Sequence, residues 1–284
     1  MLEELELRRA ICEVGRRLWL KSFVVANDGN ISFRLSADRV LCTPTMSSKG
    51  SLRPEDLVVV DLDGMQVSGT RKATSEIRLH LFQYQQRPEL YSVVHAHPPH
   101  ATAFALARRE LPKCLLPEIE LFLGEIPIAP YATTGTWEFA RSIGPWVTNH
   151  DAFLLTNHGA VTAGLDPFDA YYRMETVDQY CHVLLLTLQA GGWHQLGAEQ
   201  MNALMVMKGR WGVADQRTGA LDAVHHAPGP ATDPGSGRTR FLPHPGPLED
   251  RPKLIGKDDP ARAQRRARLA AEVAAEVLRR SQRI

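Results

Sequence analysis

The sequence predicts an α/β/α layered domain built on a largely antiparallel sheet. Strand-like and helix-like segments alternate over residues 1–215, and several strand pairs are joined by turns short enough to make hairpins. The chain of 284 residues, 44% hydrophobic and 23% charged, is also long and apolar enough for one substantial domain with something extra. Lys and Arg number 33 against 32 Asp and Glu, so no basic field draws in nucleic acid or an acidic membrane surface. The first twenty residues interleave acids and bases without an apolar core; neither a secretory signal nor a membrane span is expected, and the expected location is cytoplasmic. Cys12, Cys42, Cys114 and Cys181 form no C-x-x-C pair, so a metal has to be held by histidine or carboxylate.

Leu7, Ile11, Val14 and Leu18 recur at helical spacing, so the chain opens on an amphipathic helix ending near Lys21. The cluster Asn27-Asp28-Gly29-Asn30 turns into a strand, ISFRL, and a second strand, RVLCTPT, follows Ser36-Ala37-Asp38. Residues 57–68, LVVVDLDGMQVS, read as a hairpin around Asp63-Gly64. In ATSEIRLHLFQYQQRPEL, Thr74 and Ser75 are candidate N-caps, Ile77, Leu81 and Tyr84 keep helical spacing, and Pro88 lies past the end. SVVHAHPPHATAFA, residues 92–105, is a strand followed by a helix with Pro98 suited to its first turn. IPIAPY is a short irregular strand and WEFARSIGPWV a helix. DAFLLTNHGAVTAG gives two apolar runs around Asn157-His158-Gly159, and a long helix runs from Asp166-Pro167 to Gly191-Gly192. Residues 216–259, rich in Pro, Gly and charge, read as a linker. Over 260–284 the stripe Leu269, Val273, Val277 predicts an amphipathic helix that docks on its own domain or on a partner.

Side chains alternate faces along a strand, so His95 and His97 point the same way, about 7 Å apart along the chain. The pair alone reads either as a metal site or as strand-end histidines that hydrogen-bond. His158, in its tight turn, either completes three nitrogen ligands with a fourth position open, or is a turn residue in a left-handed backbone. Glu76 is a first-turn dipole complement, or a carboxylate placed beside a metal to move a proton. Three polar turns, Gly29-Asn30, Thr43-Pro44-Thr45 and Thr74-Ser75, could surround one phosphate. His100 reads as a helix-start residue, and His150, His182, His225 and His226 as surface or linker histidines.

The segments GNISFR (29–34), TPT (43–45), TSE (74–76), VVHAHPPHATA (93–103), APYATTGT (129–136) and LLTNHGAV (154–161) are collinear. In order and spacing they resemble the class II, zinc-dependent sugar-phosphate aldolases related to L-fuculose-1-phosphate aldolase, a family that includes the adducin head fold. The resemblance covers roughly residues 1–210. It implies that His95, His97 and His158 bind Zn2+ or another divalent ion, that Glu76 is the catalytic acid/base, and that Gly29, Asn30, Thr45, Thr74 and Ser75 hold the substrate phosphate. It also implies reversible cleavage of a deoxyketose 1-phosphate to dihydroxyacetone phosphate and a small aldehyde such as lactaldehyde, in a homotetramer. Decarboxylases and dehydratases of the family keep the same ligands, and an adducin-like interaction module without catalysis is the alternative of another class. Met46 stands where the family's phosphate turn has glycine. Leu116 stands where a tyrosine serves the aldehyde oxygen, which leaves Glu118 or Glu120 as the candidate proton donor. The C-terminal helix resembles the peptides that carry enzymes into bacterial microcompartments, so a shell protein is its expected partner.

Overall fold

The computed structural model describes residues 4–210. The linker over 216–259, the helix expected over 260–284, and His225 and His226 lie outside the described residues.

The opening helix α1 (Glu4–Leu20) buries the stripe that its spacing announced, Leu7, Ile11, Val14 and Leu18. Two hairpins follow, β1 (Asn30–Arg34) with β2 (Arg39–Cys42) and β3 (Val58–Asp61) with β4 (Gln66–Ser68). Gly64 turns the second at a φ of 86°, a conformation that glycine adopts without a Cβ clash. The remaining elements are α2 (Ile77–Gln86), β5 (Ser92–Ala96), α3 (Pro99–Ala107), α4 (Pro117–Phe122), β6 (Ile128–Ala129), α5 (Trp137–Arg141), β7 (Ala152–Leu155), β8 (Gly159–Gly164), α6 (Pro167–Gln189) and α7 (Ala198–Arg210).

The strands form one sheet in the order β4-β3-β2-β1-β5-β8-β7-β6, antiparallel at every pairing except β6 with β7. Alternation along the strands sends Val58, Val60, Val93, Phe153 and Val161 to one face, where they pack with Ile77, Leu81 and Tyr84 of α2 and Phe139 of α5. Leu41, Val59, Val94 and Leu154 go to the other face, against Ile11 and Val14 of α1, Phe104 of α3 and Met174 and Val177 of α6. The expected α/β/α layering is the structure observed.

Several local expectations need correction. Helix α2 has Glu76, not Thr74 or Ser75, at its N-cap position; Thr74 Oγ1 instead accepts from the Glu76 N–H at 3.4 Å. Pro98 is the N-cap of α3 and Pro99 its first residue. The helix begun at Trp137 ends at Arg141, just before Gly144-Pro145, since a proline cannot extend the helical ladder. The segment 115–124, in which apolar and acidic residues alternate, contains α4, and neither α4 nor α7 had an expected counterpart.

Candidate metal centre and active site

The pairing of β5 between β1 and β8 sets Asn30 opposite His95, and His95 opposite Val161. The end of β5, the start of β1 and the β7–β8 turn therefore meet at one edge of the layer covered by α2. In that turn the left-handed residue is Asn157, at a φ of 57°, so the turn reading offered for His158 belongs to its neighbour. Gly159 follows, and a Cβ there would lie 2.5 Å from the Ala96 carbonyl oxygen and 2.7 Å from His97 Cδ2. Glycine is what lets the turn close onto the two β5 histidines.

The three imidazoles converge through one kind of atom. His95 Nε2 lies 3.2 Å from His97 Nε2 and 3.3 Å from His158 Nε2, and all three ligand atoms fall within 4.8 Å of one another. His95 Nδ1 donates to the Ala160 carbonyl at 2.8 Å, which places its proton there and leaves Nε2 with a free lone pair. His97 Nδ1 lies 3.5 Å from Asp28 Oδ2, which orients that ring in the same sense. Burial pushes His95 well below the ordinary histidine range, lowers His97, and brings His158 down to about 4. Three neutral imidazoles would thus face their lone pairs at each other, an arrangement that a shared cation stabilises. The donor set fits a divalent ion such as zinc.

Glu76 closes the cluster from the start of α2. Its Oε2 lies 3.3 Å from His95 Nε2 and its Oε1 3.4 Å from His158 Nε2, while Asn30 Nδ2 donates to Oε2 at 2.8 Å. Burial raises its carboxyl above the usual glutamate range, offset in part by the Asn30 hydrogen bond. A carboxylate so placed can exchange a proton with a molecule held at the histidines.

The polar turns expected around a phosphate lie beside this cluster. Gly29 has a φ of 70°, and a Cβ there would come within 2.5 Å of Val24 Cγ1. A bridge between Pro44 and Ala73 joins the turn of Thr45 to that of Thr74 and Ser75, reinforced by Thr74 N–H donating to the Thr43 carbonyl at 3.2 Å. Ser75 is exposed, Thr45 half-buried and Thr74 buried. Met46 takes the left-handed φ of 53° that glycine would adopt without strain, and its side chain is 77% exposed.

Glu118 and Glu120 belong to α4, which packs on α6 and α7 in the layer opposite α2. Glu118 is exposed; Glu120 is buried, with Oε1 accepting from the Cys114 N–H at 2.6 Å. His100 starts α3 as expected, held by Asp178 Oδ2 at 2.9 Å from Nδ1. His150 and His182 are half-buried rather than surface residues: His150 Nδ1 lies 3.1 Å from the Trp146 carbonyl oxygen, and the His182 ring stacks on His100 at 4.0 Å.

Sequence reasoning passed over two buried groups next to the site. Lys49 Nζ donates to the Asn27 carbonyl at 2.9 Å and the Ser47 carbonyl at 2.6 Å, tying together two of the polar turns; burial brings it down to about 8. Its only sequence signal was a lysine inside a Ser/Gly turn, which ordinarily points to solvent. The other is His80, whose Nε2 lies 2.6 Å from Asn30 Oδ1. Its position four residues after Glu76 on one helix face was legible.

Residues 9–185 match the family described as the Class II Aldolase and Adducin N-terminal domain. An L-fuculose phosphate aldolase of Methanocaldococcus jannaschii is 32% identical over 181 residues, 64% of this chain and 97% of that protein. A 3-oxo-tetronate 4-phosphate decarboxylase of Haemophilus influenzae is 32% identical over 192 residues, 66% of this chain and 90% of that protein. The solved L-fuculose-1-phosphate aldolase of Thermus thermophilus is similar at 31% identity with a TM-score of 0.59, covering 67% of this chain and 98% of that one.

Proposed function

Because this chain belongs to the class II aldolase and adducin family, we propose that it is a metal-dependent carbon–carbon lyase that reversibly cleaves a deoxyketose 1-phosphate, of the fuculose or rhamnulose 1-phosphate kind. The products are dihydroxyacetone phosphate and a small aldehyde such as lactaldehyde. The observation that carries the proposal is the convergence of three imidazole nitrogens beside the half-buried Glu76 carboxyl group. Zinc or another divalent ion, when bound by His95, His97 and His158, supplies Lewis-acid stabilisation of the negative charge that develops on the substrate. In the cleavage direction the C3–C4 electron pair passes to C3 and protonated Glu76 delivers its proton there. As the aldehyde forms, the C4 hydroxyl gives its proton to solvent water, from which Glu76 is reprotonated. Gly29, Asn30, Thr45, Thr74 and Ser75 bind the phosphate. Glu118 and Glu120, the two carboxylates considered for the aldehyde side, sit on α4 in the layer opposite α2, and Glu118 is the solvent-exposed one of the pair. The same reading carries a homotetramer.

A second reading is decarboxylation of a 3-oxo acid phosphate, favoured by the likeness to the Haemophilus influenzae decarboxylase and by Leu116 at the place of the aldehyde-side tyrosine. Loss of carbon dioxide also leaves a carbanion equivalent for Glu76 to protonate, with no aldehyde oxygen to serve. The two are separated by incubating the zinc-loaded chain with ketose 1-phosphates and 3-oxo acid phosphates while measuring dihydroxyacetone phosphate and carbon dioxide. Release of dihydroxyacetone phosphate is the expected result. Carbon dioxide alone transfers the assignment to the decarboxylase, and no turnover of either class overturns both.

A further inference from the structure

We propose that His80 is a positioning residue that fixes the amide orientation of Asn30 and thereby holds the Glu76 carboxylate against the three histidines. The proposal rests on the reading of Glu76 as the proton-transfer group.

Glu76, His80 and Tyr84 recur every four residues from the N-cap along α2 and so stack on one side of the helix. Asn30 and Ser32 are two apart on β1 and share one face of the strand. Four helical residues rise about 6 Å and two strand residues about 6.6 Å, so the two rows stay in step and interleave. The result is one continuous chain of contacts. Tyr84 OH lies 2.8 Å from Ser32 Oγ, Ser32 Oγ 2.7 Å from His80 Nδ1, His80 Nε2 2.6 Å from Asn30 Oδ1, and Asn30 Nδ2 2.8 Å from Glu76 Oε2. The four members between the core and Glu76 are all buried, His80 and Ser32 completely.

Chemistry gives this chain a single direction. With the Asn30 N–H group turned to Glu76, its oxygen faces His80 and can only accept, so His80 Nε2 carries the proton. A buried neutral histidine then offers Nδ1 as an acceptor, so Ser32 must donate to it, and the Ser32 oxygen is left to accept from Tyr84 at 2.8 Å, a closer partner for that hydroxyl than the Tyr91 carbonyl oxygen at 3.3 Å. Every hydrogen bond points toward Glu76. Without a donor at His80 Nε2, the Asn30 amide is free to turn over and set its oxygen against the carboxylate, which repels Glu76 from its place.

The test uses the full, zinc-loaded chain labelled with 15N histidine, together with turnover of whichever substrate the panel identifies. Long-range 1H–15N correlation is expected to show His80 as the neutral Nε2–H tautomer at pH 7; an Nδ1–H tautomer or an imidazolium overturns the proposal. His80→Leu is expected to lower turnover at least about tenfold with zinc content unchanged, the usual scale for groups that orient an active residue, while His80→Gln, which can donate and accept at the same two places, recovers most of it. Should His80→Leu not fold, Ser32→Ala keeps the ring but removes its partner at Nδ1, and slower turnover is expected. Unchanged turnover in the variant that folds overturns the proposal, as does a loss that His80→Gln fails to restore. Glu76→Gln tests the underlying reading separately: it is expected to reduce turnover about a hundredfold or more, and a wild-type rate there removes Glu76 from the mechanism whatever His80 does.

Discussion

His80 is fully buried, and burial alone brings its imidazole down to about 3 from an ordinary 6.5. In the unfolded chain it takes up a proton near pH 6.5, whereas the native state refuses that proton until about pH 3. The unfolded state therefore binds more protons between these limits, and stability is fully present above pH 6.5 and falls as the pH drops through that window. One such group costs about 1.4 kcal/mol per pH unit. Urea midpoints of the metal-free chain are expected to decline from pH 7 to pH 5, less steeply in His80→Gln; a pH-independent midpoint contradicts the buried neutral histidine. The histidines that converge were legible as candidates, because an H-x-H pair at a strand end and a histidine in a tight turn are local patterns, although those patterns alone left a metal reading and a structural reading open. The roles of His80 and Lys49 were not, since each depends on partners from β1 or from the turn at Asn27, and no local spacing announces a lysine bonded to two carbonyls.

Among the elements, the β7–β8 hairpin controls the site most directly, because it delivers His158 and packs Gly159 against the end of β5. Gly159→Ala puts a methyl group where the Ala96 oxygen and the His97 ring already stand, so His97 has to shift. Zinc affinity is expected to fall about ten- to a hundredfold, the scale seen when the support of a ligand is changed. Gly209→Ala, which meets nothing within 4 Å in α7, is the control expected to leave affinity unchanged; equal affinities in the two variants contradict the close approach. Long elements were readable, α1 from its apolar spacing and α6 from its Asp166-Pro167 start and Gly191-Gly192 stop. Helix α4 was not: over its six residues Ile119 and Leu121 alternate with Glu118 and Glu120, a period of two that mimics a strand. Helix α7 buries only Met201 and Lys208 among its residues, too sparse a stripe to stand out.

For the molecule as a whole, alternating segments and short turns were enough to foresee three layers and an antiparallel sheet. The strand order was not foreseeable, because β5 enters between β1 and β8 through side-chain packing on both faces rather than through any turn. That order is what brings Asn30, His95 and the His158 turn to one edge, with Glu76 arriving from the helix layer above. The functional reading depends on this convergence holding a metal ion. Native mass spectrometry of the full chain after zinc loading measures both ion content and assembly. One zinc ion per chain in a homotetramer is expected, with zinc lost from His97→Ala. A wild-type chain that binds no divalent ion, or a His95→Ala/His97→Ala double variant that keeps full occupancy, would contradict the three-histidine centre.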